Sequence, residues 1–407
     1  MTQPSNPPMD AEDANAHRPP TVLQVLPALE TGGVEQGTVD VAVATAQAGW
    51  RALVASAGGL KTYAIERGGG RHIALPLDTK NPLKILRNAA RLEEVIRREQ
   101  VDIVHARSRA PAWSAYIAAK RTGVRFLTTF HGTYNFKGWL KRRYNAVMAK
   151  GERVIAISHF IAEHVKRHYA VPDSRIRVVP RGIDLRHFAA EGVAAERMIR
   201  LAHDWQLPDG VPVVMLPGRL TRWKGQLVLI DALARITDRD FICLLVGSDQ
   251  GRTGYRDALT QRVRERGLES RVFIRDDCTD MPACYMLADV VVSASTDPEA
   301  FGRIAAEAQA MGRPLVASAH GGVPEQVIDG ETAFLVPPGD DAALAEGVAR
   351  ALALDAEQRA AMAAAAREQA QQFSKTRMCA DTLAVYEELL GWRDAPLTPE
   401  DSLHTAG

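Results

Sequence analysis

From Thr21 onward, short β-branched and apolar runs alternate with longer stretches whose apolar positions recur at helical spacing. TVLQVLPAL opens the series, followed by the glycine turn Gly32-Gly33 and a helical stretch, VEQGTVDVAVATAQAG. RALVAS and HIALPL predict the next two strands, and ILRNAARLEEVIRREQ predicts a charged helix. Strand VDIVHA, helix AWSAYIAAKRTG and strand FLTTFHG come next, and RVIAIS, HFIAEHVKRHYA and RIRVVPRGID extend the pattern. Alternation of this kind builds parallel sheets, and strands apolar along their whole length imply helices on both faces.

A polar stretch from Asp204 to Gly210 interrupts the series, which restarts with VPVVMLPGRL, FICLLVGS, RVFIRD, DVVVSAS, PLVAS and FLVPP. The pattern therefore predicts two doubly wound, Rossmann-like domains, with the boundary between His187 and Pro212. Residues 1–20 read as a disordered lead, 21–190 as the first domain, 191–375 as the second, 376–393 as a helix able to pack back on the first, and 394–407 as a loose tail. The alanine-rich ARALALDAEQRAAMAAAAREQAQQF reads as high-propensity helix. Folds of this kind bind ligands outside the carboxyl ends of their strands, which is where chemistry is sought.

Composition narrows the choices. With 407 residues, 46% hydrophobic and 24% charged, the chain can bury a core in each half. A formal charge of +1 excludes a nucleic-acid function carried by overall electrostatics. The four cysteines, Cys243, Cys278, Cys284 and Cys379, show neither zinc spacing nor a disulfide framework, which fits a reducing cytoplasm. No apolar run reaches the roughly 20 residues of a membrane span, and the N-terminus lacks the charged start and apolar run of a secretory signal.

Two loops carry candidate chemistry. In PEAFGRIAAE, Glu299 and Glu307 flank a passage from strand end to helix start, where backbone N–H groups of Phe301, Gly302 and Arg303 are free for anions or sugar oxygens. Glu307 falls about one turn inside that helix. Capping chemistry alone would also place glutamates there. In GRLTRWKG, Arg219 and Lys224 follow a strand beside Gly218 and Gly225, a pairing that suits a diphosphate and that a charged surface loop would equally produce. Asp184 reads as a turn or cap residue, and Asp276, Asp277 and Asp280 form an acidic loop without metal geometry.

Taken in order, GRLTRWKGQ, PEAFGRIAAEAQAMGRPLVAS and GGVPEQVIDGETAFLVPPGD resemble the donor domain of the retaining glycosyltransferases that include bacterial lipopolysaccharide and phosphatidylinositol sugar transferases. TGGVEQ and RVIAISHFIAEHVKRHY with RVVPRGID are similar to that family's acceptor domain and interdomain region, so the resemblance covers about residues 21 to 393. It implies the GT-B fold, two Rossmann-like domains facing a central cleft, and transfer of a hexose from UDP- or GDP-hexose to a glycan or lipid-linked acceptor in surface-polysaccharide assembly. By the same resemblance Glu299 lies by the donor sugar, Glu307 holds the ribose hydroxyls, Arg219 and Lys224 neutralise the diphosphate, Gly33 approaches the phosphate, and His131 of TFHGTY stands near the reacting sugar. His131 by itself could equally be a satisfied strand-end histidine. Ala300, Arg181 and Ala333 depart from common family residues and bear on loop shape and donor choice.

No cofactor and no essential metal is expected, since Arg219, Lys224 and the helix N-terminus can stabilise a leaving diphosphate. A nicotinamide-dependent Rossmann enzyme is disfavoured because ETGGVEQG is not G-x-G-x-x-G, while a catalytically silent sugar-nucleotide-binding protein remains an alternative. FKGWLKRRYNAVMAK combines Lys137, Lys141, Arg142, Arg143 and Lys150 with Phe136, Trp139, Leu140 and Tyr144. On one helix Phe136, Leu140 and Val147 share a face, as expected of a segment that meets an anionic membrane surface, and a core-packed helix with a solvated basic face would look alike.

Overall fold

The computed structural model describes residues 18–134, 138–276 and 278–392. Most of the expected disordered lead, Phe136 and Lys137 of the basic–aromatic segment, Asp277 of the acidic loop and the expected loose tail lie outside these residues.

Among the described residues thirteen strands form two sheets. In the first lie β1 (Thr21–Val25), β2 (Arg51–Ser56), β3 (Arg71–Ala74), β4 (Ile103–Ala106), β5 (Arg125–Phe130), β6 (Arg153–Ala156) and β7 (Ile176–Val178). In the second lie β8 (Val213–Pro217), β9 (Ile242–Val246), β10 (Val272–Arg275), β11 (Val290–Ser293), β12 (Leu315–Ser318) and β13 (Phe334–Val336). The first sheet runs β3-β2-β1-β4-β5-β6-β7 and the second β10-β9-β8-β11-β12-β13. Pairings such as Leu23 with Leu53 and Val104, or Met215 with Leu244 and Val291, are parallel. In each sheet the order reverses beside the first strand, at β1/β4 and at β8/β11, and such a switch point opens a crevice at the carboxyl edge.

The chain divides into two compact units. One comprises residues 1–156, 165–177 and 379–407, and the other 157–164 and 178–378. The last helix, Lys375–Leu389, lies mostly in the first unit. There Tyr386, fully buried, bonds to Nδ1 of His105 at 2.8 Å, and His105 Nε2 meets Thr129 Oγ1 at 2.7 Å. Burial, reinforced by the Arg107 charge, holds His105 well below the ordinary histidine pKa. Glu388 of the same helix accepts from Nε of Arg153 at 2.7 Å and Nε of Arg177 at 2.8 Å. The second unit closes around Val214, Leu216, Leu229, Leu233, Leu245, Val292 and Val348, which join its strands to the helices on both faces.

Two expectations need correction. The alanine-rich stretch is not one helix: Asp341–Leu352 ends and Ala356–Ala370 begins anew, because Asp355 accepts from Gln358 N at 2.9 Å while the Gln358 side chain returns to Asp355 N at 3.1 Å. Nor does the basic–aromatic segment form one amphipathic helix. Trp139–Asn145 is a short α-helix that gives way to a 3-10 turn, Ala146–Ala149, which buries Val147 completely while Trp139 and Leu140 stay exposed.

Candidate active site

Loops at the second switch point are shaped by glycine. After β8, Gly218 turns the chain at φ 134° and Gly225 ends the 3-10 turn Arg222–Lys224 at φ 73°. A Cβ on Gly225 would lie 1.8 Å from the carbonyl oxygen of Ala294, just past β11, so only glycine lets the two loops approach. That approach sets Lys224 against Glu299: Nζ and Oε1 are 2.7 Å apart and both side chains are about nine-tenths buried. Ser295 donates to the same Oε1 at 2.6 Å, and the Ser295 carbonyl accepts from His320 Nε2 at 2.8 Å. The ammonium also sits 4.6 Å from the Trp223 ring centre. Glu299 Oε1 is thus engaged by two donors and its orientation is fixed.

The helix Arg303–Ala310 starts from Gly302, at φ 94°, with no side-chain cap, so its first amides have no capping partner from Gly302. Gln326 Nε2 bonds the Phe301 carbonyl, and Gly322 N donates to the Glu299 carbonyl at 2.8 Å, which together pin the loop leading into the helix. One turn in, Glu307 accepts from the buried Tyr285 hydroxyl at 2.8 Å and pairs with Arg303 at 2.8 Å. Burial, then the Glu307 charge, pushes the Tyr285 phenol well above its ordinary pKa, so it stays a donor.

Beside Tyr285 and Glu307 lies a cavity of about 290 Å³, lined also by Gly218, Arg219, Gly247, Cys278 and Ile304, while Lys224 and Glu299 stand outside its lining. Arg219 is exposed and makes no ion pair among the described residues. The Cys278 thiol is lowered to about 7, chiefly through a hydrogen bond with Cys284. Seven of the sequence-predicted residues, Arg219, Lys224, Glu299, Phe301, Gly302, Arg303 and Glu307, therefore occupy one switch point. Gly33 and His131 belong to the other unit. Gly33 opens the helix Gly33–Gln47 behind β1, and the His131 amide, just after β5, faces the Tyr134 hydroxyl at 3.4 Å. Sequence reading missed Ser295, Tyr285 and Cys278. Only Ser295 had a local signal, four residues before Glu299 on the same loop.

Two parallel, doubly wound units, one with paired cations and carboxylates and a cavity at its switch point, define a two-unit α/β protein with a candidate ligand site at a strand edge. Residues 31–187 match Glycosyltransferase Family 4, and residues 200–369 match Glycosyl transferases group 1. The chain is 31% identical over 317 residues to D-inositol 3-phosphate glycosyltransferase of Xylanimonas cellulosilytica, spanning 72% of this chain and 73% of that one. Among solved structures it resembles a glycosyltransferase from Rickettsia africae, with a TM-score of 0.85 and 36% identity over 92% of this chain and 99% of that one. It also resembles Anabaena HepE solved in complex with UDP, with a TM-score of 0.80 and 25% identity over 90% and 100% of the two chains. The chain belongs to the GT-B glycosyltransferases. Among the described residues no helix is long and apolar enough to cross a membrane.

Proposed function

We propose that the protein is a retaining, metal-independent hexosyltransferase that uses UDP- or GDP-hexose and glycosylates a surface-glycan acceptor, of the kind used in lipopolysaccharide or exopolysaccharide assembly. The observation that carries the donor reading is the cavity beside Arg219, Tyr285 and Glu307, with Lys224 and Glu299 locked together at its switch point. HepE, solved with UDP and with UDP-glucose, supports the same ligand class. In this reading Glu307 takes the ribose hydroxyls, Arg219, Lys224 and the amides near Gly302 receive the diphosphate, Glu299 faces the donor sugar, and Gly33 and His131 serve from the first unit. In this reading those cations and amides supply the charge stabilisation that a metal ion would otherwise give.

Retention follows from front-face attack. The acceptor hydroxyl oxygen bonds to the anomeric carbon, the bond from that carbon to the β-phosphate oxygen breaks, and the hydroxyl proton passes to the departing phosphate. Lys224 and Ser295 both hold Oε1 of Glu299, which fixes the carboxylate in place as an electrostatic group beside the donor sugar in this reading. Incubating the full chain with α-configured UDP-glucose or GDP-mannose and following the product by NMR tests this reading. An α-product formed equally well with chelator agrees with it. A β-product, or activity abolished by chelator and restored by a divalent cation, refutes it.

A second acceptor class has its own support, since the Xylanimonas relative is named for D-inositol 3-phosphate. Peripheral membrane contact is the remaining part of the proposal. Exposed Trp139 and Leu140 stand next to Lys141, Arg142 and Arg143, and each cation near anionic lipid contributes on the order of 1 kcal/mol. Salt-sensitive flotation with anionic vesicles supports that contact, and no lipid-dependent binding at low salt refutes it.

A further inference from the structure

Two thiols of the second unit, Cys278 and Cys284, are hydrogen-bonded to each other, and the transfer chemistry has no need of either. Cys278 lies after β10 and lines the cavity together with Arg219, Tyr285 and Glu307. Cys284 lies about one turn inside the helix Met281–Leu287, fully buried, with its sulfur 3.2 Å from Met215 Sδ of β8. The start of that helix is fixed by Asp280, whose carboxylate accepts from Ala283 N at 3.2 Å and from Arg197 Nε at 2.8 Å. One sulfur is thereby held at the cavity wall and the other behind it. Cys243 and Cys379 are buried and do not line the cavity.

Oxidation of a thiol runs through its thiolate and becomes reversible when a second thiol stands in reach. The hydrogen bond with Cys284 lowers the Cys278 thiol to about 7, with burial opposing it and the Asp280 N–H assisting. The same hydrogen bond, then burial, pushes the Cys284 thiol well above its ordinary value. Near neutral pH the half-buried Cys278 is therefore partly thiolate, and Cys284 is its protonated neighbour.

We propose that Cys278 and Cys284 form a reversible disulfide at the cavity wall, made by a peroxide and undone by a dithiol, and that the oxidised chain binds nucleoside diphosphate more weakly. The effect on nucleotide rests on the donor reading above; the pairing of the two thiols does not. The Cys278 sulfur attacks one oxygen of hydrogen peroxide, the O–O bond breaks, and hydroxide leaves a sulfenic acid behind. Cys284 then bonds to that sulfur, and its proton departs with the expelled hydroxyl as water. Two electrons pass from the thiols to the peroxide, which ends as two waters once the proton that Cys278 released is counted. In a disulfide the sulfurs close to about 2.05 Å, nearer than hydrogen-bonded thiols lie. Cys284 is fixed in the core, so the Cys278 loop moves. The bond also pulls on the helix turn that carries Tyr285, whose hydroxyl holds Glu307.

The full chain, reduced with dithiothreitol and then freed of it, is treated with hydrogen peroxide and digested without reductant for peptide mapping by mass spectrometry. Treated and untreated chains are titrated calorimetrically with UDP and with GDP. The map should show Cys278 joined to Cys284. The oxidised chain should bind its nucleotide about tenfold more weakly, the size of one displaced hydrogen bond to a charged group, and dithiothreitol should restore the affinity. Cys284→Ala, which leaves the cavity lining intact, should form no such bond and, untreated, should bind nucleotide as the reduced parent does. If that variant fails to fold, Cys278→Ser takes its place, and peroxide should leave its affinity where it was before treatment. A treated parent without the Cys278–Cys284 bond, or an oxidised chain that binds nucleotide as tightly as the reduced one, overturns the proposal. A reduced chain that binds neither nucleotide sinks the donor reading and the effect on nucleotide with it, while the peptide map still decides the pairing.

Discussion

The two switch points are built alike and furnished differently. Past β11, the loop in the second unit presents Glu299 already paired with Lys224, supported by Ser295 and His320 and enforced by a glycine that no other residue can replace. Past β4, the corresponding place in the first unit presents Arg107 buried with no bonded counter-charge. A neutralised, hydrogen-bonded set is rigid before any ligand arrives, whereas a buried cation with no bonded carboxylate carries a desolvation cost that its neighbours only partly offset. The comparison teaches that one unit fixes its charged side chains by contacts made within the fold, while the other keeps an arginine buried at its sheet edge without a bonded carboxylate.

Removing the lysine that joins the two loops of the second unit should have the largest effect. Lys224→Ala is expected to lower transfer by roughly 10²- to 10³-fold, the size seen when one preorganised donor to a developing negative charge is lost. It also leaves Glu299 without its cation, so Lys224→Ala/Glu299→Ala serves as the control. Recovery of transfer in the double variant would show that the lysine merely neutralises the glutamate.

Gly225→Ala should be nearly as damaging, and to stability first. The new Cβ would meet Ala294 O at 1.8 Å with the backbone at φ 73°, so the loops must separate, at a cost of about 2–4 kcal/mol. Thermal unfolding measures this, and a melting temperature equal to the parent's would mean that the two loops are not held together as described.

Much of this architecture was legible from residue pattern. Every strand among the described residues was foreshadowed, most of them because buried parallel strands are apolar along their length, and the second-unit site residues were exposed by glycines and charges clustered after strands. Contacts distant in sequence were not legible. Lys224 and Glu299 are 75 positions apart and Tyr285 and Glu307 are 22 apart, and no local signal joins either pair. Arg107 carries no local signal in VDIVHARSRAPAW, since a strand-end arginine reveals its burial only after the last helix has packed. Asp355 shows the converse: its capping box was readable locally, but the alanine-rich composition around it concealed the break.

The first unit has its own pH signature. His105 is fully buried and its pKa is held well below the ordinary value, so the unfolded chain takes up a proton as pH falls through about 6.5 while the folded chain resists. Stability is therefore full above that pH and falls below it, by at most about 1.4 kcal/mol per pH unit from this group. Unfolding followed between pH 7 and pH 5 should show a shallower loss in His105→Gln than in the parent. Equal slopes would mean that His105 accepts its proton in the folded state.

The central claim is that the cavity beside Glu307 is where a nucleoside diphosphate binds. Calorimetric titration of the parent, Glu307→Gln and Glu299→Ala with UDP and GDP tests it most directly, and glutamine at position 307 still offers Tyr285 an acceptor. One of the two nucleotides should bind the parent, bind Glu307→Gln about tenfold more weakly, and bind Glu299→Ala almost unchanged. No binding of either nucleotide, or equal affinity in the parent and Glu307→Gln, would contradict the account.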